Sequence, residues 1–442
     1  MKPKICLVGQ VVTDVLHLKD GPVPRLGGIF HAAKALSALG CDFEIAYVAP
    51  KYLDHEIASY AGQLGAAKVI KIGDVEGCPN VLLVGEPTEV GSRDYEFLLD
   101  RQHRCYLNLK AFENRLREKS FSDVIVFPGG FALKKILLAL KNLTARIHVD
   151  ANFEPKNFKV FEALGRPLQT LILSTSSDTF LKVFKGDCAR IRRAGLKIAQ
   201  SFLLKENRGG SRYFRRGSAT PILVPAFPRK IIHSVGVGDC YNSVFAYLSR
   251  SMPQRASLIY ASLIAGEYAS VLSQPLFKNA VERTMKIVPS EVTKLQGVSL
   301  PWELRRKVHI YIAAPDFKSA DLSQIERVVS CLEYHNFVPR RPVVENGEIT
   351  SQSSAKERCT AASADIRLLE ECQILLAIPI FDDPGTYIEM GLALQKGIPV
   401  IVYTPNRITD NLLTYELPTL VSSDLDEVIS ELFKQAAKIH GK

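Results

Sequence analysis

A chain of 442 residues with 47% hydrophobic side chains is too long for one ordinary core and apolar enough to bury two, which excludes a largely disordered protein and favours two globular domains. Nine cysteines, with no C-x-x-C pair and no Cys/His cluster at zinc spacing, exclude a disulfide framework and a structural metal site and point to a reducing compartment. The formal net charge of +10, with basic clusters at 190–193 and 208–216, suits phosphate-bearing ligands, nucleic acid or a merely solvated surface, and charge alone does not choose among them.

The apolar run at Ile5 to Val8 is too short for a signal peptide and lacks a cleavage site, and no window approaches a membrane span, so the expectation is a soluble, cytoplasmic protein without a membrane partner. From there strands alternate with helical periodicity, at Ile5 to Val12, Glu44 to Val48, Asn80 to Val84, Val124 to Phe127, Ile147 to Val149 and Thr170 to Leu173. Such alternation predicts an α/β domain with a largely parallel sheet.

Near the end of this region stands His233-Ser-Val-Gly236-Val237-Gly238-Asp239. Glycines at a helix start let backbone N–H groups face a phosphoryl group, and an aspartate there can take a proton from an attacking hydroxyl; a helix capped after a tight turn would look the same. The segment resembles the Gly-Ala-Gly-Asp signature of ribokinase-like (PfkB-type) sugar and nucleoside kinases. Other elements follow that family's order: Val8-Gly9 leading to Asp14, Gly27-Gly28 to Leu39-Gly40, Asp150-Ala-Asn152, and Lys205 with Gly210.

The resemblance covers about the first 285 residues and implies an α/β/α sandwich over 1–288. It also implies Asp239 as catalytic base, Asp14 and Gly28 at the sugar, and Gly236, Val237, Gly238, Lys205 and Gly210 around a nucleotide phosphate, with ATP and Mg²⁺ as cofactors of this domain. Several positions depart from the pattern: His31 replaces an asparagine that grips the sugar, Glu154 an arginine, Thr175 and Asp178 an Asn-x-x-Glu pair that organises magnesium, and His233 an aspartate. His31 and His233 also fit as ordinary core or surface histidines. Only 12 residues separate Asp14 from Gly27, which leaves little room for a β-stranded lid. The expectation is therefore a kinase-like domain whose own activity is open.

Between about Met285 and Lys307 the periodicity is interrupted by Pro289, Gly297 and Pro301, so 289–306 reads as a linker and 307–442 as a second domain. Its elements are a strand Val308 to Ala313, helices from Asp321 to Tyr334 and Ala361 to Glu371, a strand Ile374 to Ile378, a helix Tyr387 to Lys396, a strand Pro399 to Tyr403 and a terminal helix from Asp424 to Ile439. This order predicts a flavodoxin/Rossmann-like parallel sheet.

The loop after the Ile374 strand carries Asp382 and Asp383, and the helix that follows carries Glu389, expected in its first turn, where free N–H groups and the helix dipole hold a carboxylate ionised. Thr386-x-x-Glu389 is also a capping box, which could do no more than close the helix start. The whole domain, from Val308 to about Val421, resembles the nucleoside 2-deoxyribosyltransferase family: Ile310-Tyr311-Ile-Ala-Ala-Pro looks like its opening motif, Asp365 falls at a carboxylate that contacts the base, and Asp383-x-Gly385-Thr386-x-x-Glu389-x-Gly is similar to its signature loop.

The resemblance implies that Glu389 attacks C1′ to form a covalent glycosyl ester, that Asp365 and Asp383 bind and protonate the base, that Tyr311 orients Glu389, and that Gly385 and Thr386 line the substrate site. Departure of the base builds positive charge on the sugar and needs a proton on the leaving group, which is why paired carboxylates recur in such sites. A second base as acceptor gives transfer and water gives hydrolysis; the choice stays open. Asn411 approximately matches an asparagine with which a neighbouring subunit touches the substrate's 5′-hydroxyl, implying a homo-oligomer, though a turn residue would look the same. Asp316, where nucleotide-cleaving relatives carry a phosphate-gripping loop, is expected to repel phosphate and favour free nucleosides.

Two functions follow. In the first, glycosidic cleavage or transfer on small nucleosides or nucleotides, without nucleic-acid partners and without a cofactor for the C-terminal domain, is joined to a kinase-like binding domain. In the second, an active kinase is joined to a nucleotide-binding sensor.

Overall fold

Buried runs of Val, Ile and Leu cannot satisfy their backbone polar groups alone, and here they do so by pairing side by side. In a computed structural model, which describes residues 4–88, 90–91, 94–152, 158–317, 321–350, 352–406 and 411–440, the chain divides into two compact units, 1–88 with 94–299 and 89–93 with 300–442. The stretch 289–306 is thus shared between the units. Trp302–Arg305 is a short helix, and Arg305 is fully buried in the second unit against Trp302 and Phe433, donating to the carbonyls of Leu300 and His335.

The first unit holds a ten-stranded sheet. Its centre is parallel and runs, in spatial order, Ala199–Lys205, Leu168–Ser174, Arg146–Asp150, Asp123–Phe127, Lys4–Gln10, Asp42–Val48 and Lys68–Glu76, with antiparallel strands at both edges. The near-continuous burial of Lys4–Gln10 and Asp123–Phe127 fits strands covered on both faces, by helices such as Ile29–Ala38, Val237–Leu248 and Gln254–Ala269.

A separate four-stranded sheet corrects the expectation that little room is left for a β-stranded lid. Thr13–Leu18 turns back at once into Gly21–Leu26, and the partner strands Val81–Val84 and Tyr95–Phe97 come from a distant hairpin. The 12 residues after Asp14 make a two-stranded turn by themselves, and the sheet is completed across sequence, which spacing could not reveal.

The second unit is built on a five-stranded, wholly parallel sheet in the order Val338–Arg340, His309–Ala313, Ile374–Ala377, Val400–Tyr403, Leu420–Ser422. The sequence order 2-1-3-4-5 places the topological switch between His309–Ala313 and Ile374–Ala377, the position at which open parallel sheets bind their ligands. The flavodoxin/Rossmann-like expectation therefore holds. Among the described residues, no helix is long and apolar enough to cross a membrane.

Candidate active site

Tyr311 lies on the strand at that switch point, almost wholly buried, and the helix Pro384–Gln395 follows the neighbouring strand. The side chains meet there: the Tyr311 hydroxyl donates to Glu389 Oε1 at 2.6 Å. An O–H to carboxylate bond of that length is charge-assisted and fixes the acceptor's orientation.

Glu389 is not in the first turn, and it does not form a capping box. Asp383 is the N-cap, its Oδ2 accepting from the Thr386 backbone N–H at 2.8 Å and from the Thr386 hydroxyl at 2.9 Å, and Pro384 starts the helix. The cap thus falls three residues earlier than the Thr-x-x-Glu pattern suggests, because a carboxylate followed by Pro at the first helical position is the stronger start signal. Glu389 then stands in the second turn, away from the free N–H groups. Nor is it held ionised as expected: burial pushes its carboxyl up to about 7, Asp365 and Asp383 adding to the rise while the Tyr311 hydrogen bond opposes it. Burial and the Glu389 charge in turn raise the Tyr311 phenol far above its usual range.

The loop before the cap carries backbone strain. Phe381 and Asp382 both adopt positive φ, 60° and 52°, although neither is glycine, and such residues cost about 1–3 kcal/mol each. The strained pair delivers Asp383 to the helix start, and the Asp382 carboxylate accepts from the Tyr387 hydroxyl at 2.9 Å.

Asp365 sits on the helix Ala355–Glu371, partly buried, and accepts from the Asn346 amide at 2.8 Å. Gly385 and Thr386 occupy the first turn, Thr386 buried beneath its bond to Asp383. Asn411 caps the short helix Leu412–Glu416, its side chain accepting from the Leu413 N–H at 3.0 Å. Two participants had no sequence signal. Asn346 is paired with Asp365 across 19 residues, and Arg341 grips both oxygens of the buried Asp316 at 2.7 Å each. That pairing corrects the argument from Asp316: its charge is matched by a guanidinium, so it gives no reason to exclude a phosphate-bearing substrate.

In the first unit, Gly236 caps the helix Val237–Leu248, whose first turn carries Gly238 and Asp239. Gly236 has φ 76°, and a Cβ there would stand 2.0 Å from the His31 ring, so only glycine fits. Gly28 has φ 60° and presses on the Gln10 carbonyl, where a Cβ would stand at 2.1 Å. Lys205 ends its strand and pairs with Asp150 at 3.1 Å; Gly210 lies in the turn that leads to the antiparallel strand Ser211–Arg215. Enclosure of its carboxyl pushes Asp239 up to about 8, Asp150 adding, Lys205 opposing and Asp14 adding.

Asp14, on Thr13–Leu18, is fully buried with His31 Nε2 at 3.0 Å and Arg25 Nε at 3.7 Å. The Tyr268 hydroxyl stands 2.7 Å from His31 Nδ1, and burial lowers His31 to about 4, so the ring beside Asp14 is neutral and can accept from Tyr268. His233, fully buried beside Arg25 at 3.2 Å and lowered by burial to about 2, is a core histidine.

The residues at the magnesium position do not fit an ion: Asp178 is 75% exposed and bound to Lys182 at 2.8 Å, and Thr175 is a buried hydroxyl with no charge. Glu154 lies outside the described residues.

A family model for nucleoside 2-deoxyribosyltransferase matches residues 310–419. Among solved structures, the chain is similar to a candidate ribokinase of Agrobacterium tumefaciens at 13% identity and TM-score 0.50, covering 65% of this chain and 100% of that one. Escherichia coli phosphofructokinase-2 in complex with potassium (13%, TM-score 0.49, 65% and 100%) and a Thermotoga maritima ribokinase (17%, TM-score 0.46, 64% and 99%) are also similar. No curated protein matches. The chain thus joins a domain of ribokinase-like fold to a C-terminal region that matches the nucleoside 2-deoxyribosyltransferase family model over residues 310–419.

Proposed function

We propose that the C-terminal domain, 307–442, cleaves or transfers at the N-glycosidic bond of a (deoxy)nucleoside or nucleotide, with Glu389 as nucleophile. The observation that carries this is the Tyr311 hydroxyl holding Glu389 at 2.6 Å beside a topological switch point, with burial raising the Glu389 carboxyl to about 7 and Asp365 and Asp383 adding to the rise.

The carboxylate of Glu389 forms a bond to C1′ as the C1′–N bond breaks, and the departing base takes a proton held by Asp365 or Asp383. A second base, or water, then attacks C1′, the ester bond breaks, Glu389 returns as a carboxylate, and the proton the acceptor loses goes back to Asp365 or Asp383. Tyr311 keeps Glu389 in one rotamer so that ordering is not left to the bound complex.

The unit carrying this site also exposes large apolar side chains, Phe381, Ile388, Leu412, Leu413 and Leu417 each at 54% or more. Side chains of this size exposed on the site's own elements support the homo-oligomer reading, with Asn411, at the start of Leu412–Glu416, as the residue offered to a neighbour.

For the N-terminal domain, the exposure of Asp178 and the buried His31–Asp14 pair favour binding of a nucleotide or sugar over phosphoryl transfer, Gly236, Val237, Gly238 and Lys205 facing its phosphate.

Incubation of the full chain with ribo- and deoxynucleosides and their monophosphates, with and without acceptor base and ATP, tests both readings. Free or exchanged base that is absent from Glu389→Ala supports the proposal; ADP formation with no base release from wild type would overturn it in favour of a kinase joined to a nucleotide sensor.

A further inference from the structure

At the amino ends of the strands in the first unit, away from the edge that carries Asp150, Lys205 and Asp239, lies a second, strongly polar cavity of about 380 Å³. Gln200 stands near the start of the strand that Lys205 ends, about 16 Å away at 3.3 Å per residue. The cavity is within the range of small-molecule sites.

Its walls carry Arg146, Arg215 and Arg216 together with Gln169, Gln200 and Gln254, and no carboxylate is among its lining residues. Two of the guanidinium groups are pinned before any ligand arrives. Arg146 donates to Asp123 at 2.6 Å and to the Ala246 carbonyl at 3.2 Å, and Arg216 donates to the Leu196 and Lys197 carbonyls at 2.8 and 3.0 Å.

The charge is left uncompensated. Asp123 is the buried acid behind Arg146, but it is shared with Arg250 at 2.7 Å, so one carboxylate faces two guanidinium groups. His148 adds no charge, since burial lowers its pKa. Carbonyls hold Arg216 without neutralising it, and Arg215 is exposed. Gln254 opens the 16-residue helix Gln254–Ala269, which brings a positive helix end to the wall, and its amide donates to the buried Tyr213 hydroxyl at 2.9 Å.

We propose that this cavity binds a phosphate-bearing small molecule of sugar-phosphate size. The arginines take the phosphate, for which a planar fork of donors is suited, and the glutamine amides and the Tyr213 hydroxyl take the ligand's own hydroxyls. The site is separate from the helix start at Gly236–Gly238 and does not depend on the chemistry proposed for Glu389.

Titration calorimetry of the full chain with ribose 5-phosphate, inorganic phosphate and neutral ribose tests it, with folding of each variant checked by circular dichroism. The expected result is binding of ribose 5-phosphate that weakens with salt, weakens at least tenfold in Arg215→Glu, which touches an exposed side chain only, and is unchanged in Lys205→Gln, which keeps a donor for Asp150. Equal affinity in Arg215→Glu, loss of binding in Lys205→Gln, ribose binding as tightly as its phosphate, or no binding at millimolar concentration each overturns the proposal.

Discussion

Each candidate site holds a carboxyl group that burial pushes upward, Glu389 in one and Asp239 in the other, and their surroundings differ. Glu389 stands in the second turn of its helix with a phenol donating to it at 2.6 Å, and burial pushes it up to about 7 with two nearby acids adding to the rise. Asp239 stands in the first turn of a helix capped by Gly236, is pushed up to about 8, and has Lys205 opposing the rise. The groups around Glu389 are those that the proposed glycosidic chemistry would use. Around Asp239 the fold's scaffold survives, with its glycine turn and its small four-stranded sheet, while the metal position presents an exposed Asp178. A retained fold and a retained site are thus separable, because backbone geometry is held by many residues and a site by a few.

The largest effect expected is that of Glu389→Gln, which removes the nucleophile while keeping its shape. Base release or exchange, followed by chromatography of the free base, should fall at least about 10³-fold, whereas Asp239→Asn should leave it unchanged. If both variants abolish base release, the contrast between the two sites collapses.

Next in size is Tyr311→Phe, which should lower kcat by about 10–100-fold through loss of positioning. Because the Tyr311 bond works against the rise in Glu389, its removal should also shift the acidic limb of the pH–rate profile to higher pH. A fall in kcat with an unmoved limb would make Tyr311 a packing residue only.

In the wild type, kcat should rise with pH through about 7 as Glu389 ionises. The stability sign is opposite: a carboxyl raised from 4.5 to about 7 binds a proton in the folded state that the unfolded chain has already lost, so its contribution is present below 4.5 and disappears as pH rises through 7. Glu389→Gln should therefore raise the melting temperature of the full chain's second unit at pH 8 relative to wild type, by about 2–4 °C per kcal/mol, and have little effect at pH 4. Calorimetry at the two pH values reads this directly.

The smallest effect separates the sites from the other side. Asp178→Ala should change neither nucleotide binding nor stability by more than about 0.5 kcal/mol, because the side chain is exposed and its ion pair with Lys182 is on the surface. Loss of ATP binding in this variant would restore the magnesium reading.

Much of this is legible in the sequence alone. Alternating Val/Ile/Leu runs and helical spacing located the strands at Lys4–Gln10, Asp123–Phe127, His309–Ala313 and Ile374–Ala377, since hydrophobic period is a local property. The motif residues Tyr311, Asp383 and Glu389 were also visible, because glycine, proline and carboxylates near a helix start leave a signature in a few consecutive positions.

What depended on tertiary structure was everything joined across the chain. The small sheet beside Asp14 needs strands from two distant segments, the Arg341 pairing that neutralises Asp316 spans 25 residues, and Asn346 reaches Asp365 from another helix. The charge state of Glu389 belongs here too. Its spacing suggested an ionised residue at a helix end, while its enclosure beside Asp365 and Asp383 favours the proton, since desolvation and neighbouring charge are fixed by packing rather than by position in sequence.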